Sequence, residues 1–277
     1  MKLGVTMFAT DQSIGPVDLA RAVETRGFYS LYIPEHTHIP TSRRTPPPTG
    51  DKELPEEYKR SLDPFVALAA AAGVTSRLKL GTGICLVAQR DPIVTAKEVA
   101  TLDLISNGRF VFGIGFGWNQ DEMESHGVDF PRRRERVREH VLAMQRLWTN
   151  EKASFEGEFV RFEESWSWPK PLQQPRPPIL IGGAAGPKLF KHIAEYADGW
   201  IPIGGAGVRA ALSDLQRAMH EAGRDPADLR VVPFGTIPDA GKLEYYHSLG
   251  ITEVVLRIPS VPADTVLRLL DEYAKLL

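Results

Sequence analysis

Residues 33–40 read IPEHTHIP, a glutamate and two histidines at the end of a short apolar run. Three kinds of chemistry use such residues: metal ligation, proton transfer, or a hydrogen-bonded polar corner. Extended backbone puts His36 and His38 on one side, but zinc takes three or four protein ligands, and the chain has neither an HExxH pattern nor a further histidine cluster. Metal binding is therefore not expected. His36, at a strand terminus, is a candidate acid or base, against the alternative of a histidine hydrogen-bonded at a rim. The Glu35 carboxylate has three uses open to it: orienting the imidazole, contacting substrate, or accepting from a nearby backbone amide.

Other strand ends add small residues. In GTGICLV the glycines suit a bulge or the close approach of a flat ligand, or else tight packing, and Cys85 reads as a small core residue because no basic residue adjoins it. GIGFGWNQDE sets Gly113, Gly115 and Gly117 between Ile114, Phe116 and Trp118, without the acidic residue a dinucleotide fingerprint requires. ILIGGAAGPK places glycine-rich backbone before a helix opening near Pro187; its amides suit a phosphate, with Lys188 near, or form a plain turn. GGAG at 204–207 is a second such candidate. The run PRRRERVREH (131–140) interleaves arginine with glutamate and predicts a solvated helix face.

The elements that must position these residues alternate. Runs rich in β-formers fall at 2–7, 30–36, 77–87, 109–118, 177–183, 198–204, 229–236 and 251–259, the later ones apolar on both faces as in a sheet covered on both sides. Between them, Pro16, Pro64, Pro92 and Pro187 suit first helical positions, with Asp63 and Asp91 as caps, and Gly27, Gly108 and Gly250 suit helix ends. Eight strands alternating with helices predict a (β/α)8 TIM barrel. The alternative, an open doubly wound sheet that binds nucleotide, conflicts with LGVTMFATDQSIGP, which lacks the Gly-x-Gly-x-x-Gly turn. Two connections are long and are expected to be insertions. Residues 37–62, after strand 2, would be a lid or a subunit-contacting loop; residues 151–176, before strand 5, would be a hairpin or extended excursion.

The whole chain limits the partners. With 277 residues, one domain spanning 1–277 is expected, and 33 basic against 35 acidic side chains, evenly scattered, show no footprint for nucleic acid or an anionic membrane. The lone Cys85 forbids an internal disulfide, and no apolar run is long enough to span a bilayer, so a cytoplasmic protein with a small-molecule partner is expected.

Taken together, LYIPEHTHIP, LDPFVALAAAAGVTSRLKLGTGI, QRDPIVTAKEVATLDLISNGRFVFGIGFGWNQDE and ILIGGAAGPKLFKHIAEYADGWIP make the chain resemble the bacterial-luciferase-like superfamily, and in it the F420-dependent oxidoreductases, nearly end to end. The resemblance implies a (β/α)8 barrel holding a planar tricyclic cofactor in its C-terminal mouth, and a homodimer. It implies a cofactor-side role for His36, a bulge with a cis peptide at Gly83 and Ile84, a cofactor contact from Asn119, and phosphate binding by the amides of Gly182, Gly183 and Ala184. Hydride exchange between coenzyme F420 and a small organic substrate is the implied activity, with His36 for the proton and Glu35 as its partner or a substrate contact. An FMN-dependent monooxygenase on the same barrel is the alternative, followed by a cofactor-binding protein without turnover. Where some deazaflavin enzymes carry an acidic residue after the strand 4 Gly-x-Gly, this chain has Phe116, so their acid/base pair does not transfer.

Overall fold

Alternating side chains build the sheet. In the computed structural model, which describes residues 1–46, 53–205 and 207–277, the strands are β1 (Lys2–Thr6), β2 (Ser30–Ile33), β3 (Lys79–Thr82), β4 (Phe110–Ile114), β5 (Lys152–Glu156), β6 (Arg161–Trp166), β7 (Ile179–Gly182), β8 (Gly199–Ile201), β9 (Arg230–Val231), β10 (Phe234–Thr236) and β11 (Glu253–Arg257). Nine of them form one sheet in the order β10-β11-β1-β2-β3-β4-β7-β8-β9, and every pairing in it is parallel. The two ends of that order, β9 and β10, are separated in the chain by only Val232 and Pro233. The Val232 amide donates to Trp200 and the Pro233 carbonyl accepts from Val255, so one segment touches both ends and the sheet curls upon itself. The expected strand at 229–236 is thus two short strands, since Pro233 has no N–H for a ladder.

Each strand sends alternate residues to opposite faces. Tyr32, Val111, Leu180, Ile201, Val232, Phe234 and Val255 form the inner cluster, while neighbours such as Leu31, Phe112, Ile181, Trp200 and Val254 pack under the helices. Glycine opposite the large inner residues gives them room: a Cβ on Gly81 would lie 2.3 Å from the Tyr32 ring, and one on Gly113 would lie 2.0 Å from the Thr82 carbonyl oxygen. At the N-terminal end of the strands Ser30 donates to the buried Glu253 carboxylate at 2.8 Å, and Arg230 pairs with it at 3.3 Å.

Helices α1 (Pro16–Thr25), α2 (Pro64–Ala72), α3 (Pro92–Ile105) and α6 (Pro187–Tyr196) open on the four expected prolines. Asp63 caps α2 through the Val66 amide, and Asp91 caps α3 through those of Ile93 and Val94. Gly27, Gly108 and Gly250 follow helices with φ of 86°, 71° and 77°, in the left-handed region that closes a helix. The others are α4 (Gln120–Ser125), α5 (Arg133–Thr149), α7 (Val208–Glu221), α8 (Ala240–Ser248) and α9 (Ala263–Ala274).

The expected excursion at 151–176 contains the antiparallel hairpin β5–β6. Of the segment expected to form a lid, residues 47–52 lie outside the described residues, as does residue 206 of GGAG. The flanking part holds one 3-10 turn, Glu56–Lys59. The arginine run starts α5 but is not simply a solvated face. Arg132 pairs outward with Glu135 and Glu158, whereas Arg133 lies on the Phe130 ring and Arg134 on the Phe116 ring. No helix among the described residues is long and apolar enough to cross a membrane.

His140 of α5 is buried against the segment after β3, with Nδ1 3.2 Å from the Val87 carbonyl. Burial, then the charge of Arg136, holds its pKa down at about 4 from an ordinary 6.5. Between those values the unfolded chain binds the proton and the folded one does not. Stability should therefore fall as pH drops from 6.5 to 4, by at most about 1.4 kcal/mol per pH unit from this residue, and level off below. Urea unfolding of His140→Gln over pH 7 to 4.5 should show a flatter acid limb than the parent protein; identical slopes would remove His140 from the account.

Candidate active site

The ends of β2, β3, β4 and β7 converge, and each leaves the sheet by a different device. Strand β2 stops at Ile33 because Pro34 has no amide to donate, which places Glu35 and His36 just beyond the ladder rather than within the expected strand of 30–36. Strand β3 likewise ends at Thr82. The chain then bulges through Gly83 and Ile84, whose peptide bond is cis, as the resemblance implies, before the Cys85 amide bonds back to Gly113 at 2.8 Å. A Cβ on Gly83 would lie 2.4 Å from the Phe234 ring, and one on Gly115 would lie 2.6 Å from Ile84 Cδ1, so the bulge fits only where these neighbours are glycine. Burial and the neighbouring Glu35 carboxylate push the Cys85 thiol well above its usual range, in keeping with a core residue.

His36 and Glu35 part company. The His36 side chain is 6% exposed and its Nδ1 lies 2.8 Å from Oε2 of Glu122, itself 1% exposed. An ionised carboxylate only accepts, so Nδ1 is the donor in this bond and Nε2 is the ring's other nitrogen. Around the imidazole stand Phe8, parallel to it at 6.4 Å, Tyr58 at 5.2 Å and Trp118 at 5.8 Å between ring centroids.

Glu35 is not bonded to His36, which corrects the expectation that it is the partner of that histidine. One of its oxygens accepts from the Leu86 amide at 2.6 Å and the other from Arg90 Nε at 2.6 Å. Arg90 also reaches Asp63 and Glu98, each at 2.8 Å. A carboxylate with both oxygens taken in a buried ion-pair network holds structure and is not free to take a proton or touch substrate. Of the three uses open to Glu35 in the sequence, accepting from a backbone amide is the one realised, with a guanidinium added.

Asn119 is 1% exposed and caps α4, its Oδ1 accepting from the Glu122 amide at 3.4 Å. Its Nδ2 is buried without a hydrogen-bond partner, a donor that a ligand at the mouth would satisfy. Gly182 ends β7, and its Cβ would meet Ile84 Cγ2 at 3.2 Å, so the β7 end packs directly on the cis bulge. The Gly183 carbonyl accepts from Trp200 Nε1 at 2.9 Å, Ala184 is exposed, and α6 starts without a side-chain cap at Gly186. The structure thus gathers His36, Gly83, Ile84, Asn119 and Gly182 around the strand ends, and directs Glu35 away into the Arg90 network.

Glu122 is the residue that sequence reasoning missed. Asn119-x-x-Glu122 has the spacing of a capping box, in which the glutamate would turn back to the cap amide. Here it turns to His36 instead. Phe116, at the position that is acidic in some deazaflavin enzymes, is buried against His192 at 5.0 Å beneath the Arg134 guanidinium. Among the described residues no group of histidine, cysteine or acidic side chains is arranged to hold a metal.

Known proteins resemble this chain in sequence and in fold. The family of luciferase-like monooxygenases matches over residues 15–238. An uncharacterized protein of Mycobacterium tuberculosis is 44% identical over 99% of this chain and 98% of its own length. The F420-dependent glucose-6-phosphate dehydrogenase of Kineococcus radiotolerans is 31% identical over 80% of this chain and 62% of that one. Among solved structures, an F420-dependent secondary alcohol dehydrogenase in complex with an F420-acetone adduct superposes with a TM-score of 0.78 at 19% identity, covering 100% of this chain and 98% of the other. The oxygenating constituent of 3,6-diketocamphane monooxygenase from Pseudomonas putida, in complex with FMN, gives 0.66 at 18% identity over 89% and 70%.

Removing the Glu35 carboxylate leaves Leu86 N–H and one face of the Arg90 guanidinium unpaired in a buried setting. Glu35→Ala is expected to cost about 3 kcal/mol of stability, measured by denaturant unfolding. A loss within ~0.5 kcal/mol would show that the network is dispensable.

Proposed function

The chain belongs to the family of luciferase-like monooxygenases, and within it we propose that it is an oxidoreductase that moves a hydride between coenzyme F420 and a small organic substrate. The observation that carries the reading is the buried hydrogen bond from His36 Nδ1 to Glu122 beside the cis bulge at Gly83 and Ile84. A proton acceptor of fixed tautomer beside a glycine-lined strand end is what two-electron chemistry at a flat ring needs from its protein. F420-dependent relatives and a fold neighbour holding an F420-acetone adduct support the choice of cofactor.

The residues present suit such a group. Gly83 and Ile84 offer a bulge against which a flat ring can rest, Asn119 a buried amide donor without a partner, and the Gly182, Gly183 and Ala184 segment backbone at the start of α6 for a phosphate. When bound, the deazaflavin supplies a ring carbon that takes or gives hydride. His36 takes or returns the substrate proton at Nε2, Glu122 fixes the ring and balances its charge, and Phe8, Tyr58 and Trp118 keep water from the imidazole. The same aromatic wall favours a substrate with an apolar body and one oxygen function.

FMN is the second reading, supported by the FMN-bound fold neighbour. Titration of the protein with coenzyme F420 and with FMN, followed by fluorescence, should show F420 binding more tightly; preference for FMN, with rapid reaction of the reduced protein with air, would replace the proposal. The His36–Glu122 pair speaks for turnover over a binding protein without it. With F420 bound, His36→Asn should keep cofactor affinity and lose about 10²-fold or more in turnover. Equal turnover would remove His36 from the proton's path.

We read the curled sheet as a (β/α)8 barrel of one domain, with insertions at 37–62 and 151–176, working in the cytoplasm as a homodimer. The outward faces of α2 and α3 support the dimer. On α3, Ile93, Val94, Leu104 and Ile105 are exposed, and on α2 so is Val66, an apolar face of the kind that subunit contacts cover. Leu104→Glu with Ile105→Glu should halve the mass seen by light scattering if this face is the contact; an unchanged dimer would place it elsewhere.

A further inference from the structure

The buried His36–Glu122 pair has to exchange its proton with solvent, and its exit lies on the far side of the carboxylate. Glu122 Oε2 is engaged by His36, but Oε1 is buried without a hydrogen-bond partner. A buried carboxylate oxygen in that condition is costly unless something answers it. Four residues on, at the C-terminal end of α4 and on the same helical side, stands His126, and its Nε2 is likewise buried without a partner. A lone acceptor and a lone ring nitrogen one helical turn apart complement each other.

Beyond His126 the path reaches the surface. The rings of His38 and His126 meet edge to face with centroids 5.1 Å apart, and His38 is exposed. This contact is built into the fold. Arg44 ties the segment after β2 onto α4, its amide and Nε each 2.8 Å from the Asp121 carboxylate and its guanidinium on Glu124, while Thr45 accepts from the Gln120 amide at 3.3 Å. The loop that carries His38 is thereby clamped over the helix that carries His126.

We propose that His126 and His38 are a proton relay that links the Glu122 carboxylate, and through it His36, to solvent. The inference rests on the proton role given to His36 above. A proton accepted at His36 Nε2 releases the Nδ1 proton to Glu122. The carboxyl group passes it to His126 across a bridging water, and His126 discharges it to solvent past His38. Each group gains one proton and gives one up, so no charge accumulates in the pocket. Running the sequence backwards delivers a proton for substrate reduction. The charged and titratable groups facing His126 are His38 and Glu35 from the end of β2, Glu122 from α4 and Arg90 from the segment after β3. Burial, then His38, lowers the His126 pKa, which keeps the ring neutral and able to accept.

The test uses the full chain without cofactor, labelled with 15N-histidine, so that its outcome is independent of which cofactor binds. Ring titrations and the exchange of the His36 Nδ1 proton with water are followed by NMR in the parent protein, Glu122→Gln, His126→Phe and His38→Ala. Glu122→Gln should move the His126 titration to lower pH, since an anion beside it is lost. His126→Phe should slow exchange at His36 by about tenfold, with recovery on adding imidazole, and His38→Ala, which removes the exposed ring, should slow it less. A His126 titration unmoved by Glu122→Gln, or His36 exchange unmoved by both histidine variants, would overturn the relay. Failure to bind F420 with the NMR couplings present would instead overturn the cofactor assignment and leave the relay standing. With F420 loaded, the His126→Phe pH–rate profile should lose its acid limb while F420 affinity stays; an unchanged profile counts against the relay.

Discussion

The site depends on one buried ion pair, Arg90 with Glu35. Glu35 is the last residue before His36, and its carboxylate is bonded to Leu86 N–H at one oxygen and to Arg90 at the other. Arg90 extends the hold to Asp63 before α2 and to Glu98 on α3, while its guanidinium stacks on Phe65. The end of β2, the segment after the β3 bulge, the start of α2 and the middle of α3 are therefore fixed to one cation. Buried ion pairs are weak devices for stability as such, because desolvation cancels most of the attraction. Their value here is geometric: with both oxygens taken, the backbone at 35 and 36 has one position, and the His36 ring is delivered to Glu122 from it.

Around that fixed point the strand ends are graded by size. Tyr32 and Phe234 fill the interior in edge contact at 5.4 Å, and Gly81 and Gly83 leave them room. Above them Ile84 occupies the space spared by Gly115 and Gly182. A methyl at Gly81, Gly83 or Gly115 would collide with a ring or side chain, so these small residues are required by what sits opposite and not by turn geometry. Packing of this density transmits position without slack.

Much of this was legible in the sequence, for identifiable reasons. The prolines at 16, 64, 92 and 187 and the aspartates at 63 and 91 act within a few residues of themselves, and local signals of that kind survive any tertiary context. Strand ends were overestimated, because apolar runs continue into the bulge after β3 and into Phe116 and Trp118 after β4, the first buried and the second half-buried, without being in the ladder. The partners of Glu35 and His36 were not readable at all. Arg90 lies 55 residues from Glu35 and Glu122 lies 86 from His36, and nothing in either local pattern distinguishes them from a surface arginine or a capping glutamate.

The Phe116 departure changes where a carboxylate can come from. An acid directly after the strand 4 glycines would sit in the mouth itself; Phe116 is instead turned under Arg134 and against His192, whose pKa burial and the Arg134 charge hold down at about 4. That corner is thus aromatic and cationic, unsuited to a general acid but suited to an anionic group. The carboxylate bonded to the imidazole comes instead from six residues onward, Glu122 on α4. An acid in the mouth protonates substrate directly, whereas one behind the ring acts only through His36 and must have its own route to water. In the relay we propose, the clamp of Arg44 on α4, which brings His38 to His126, is that route. The loop after β2 and the start of α4 are then one functional unit, joined because the acid of this site sits on a helix and not on a strand.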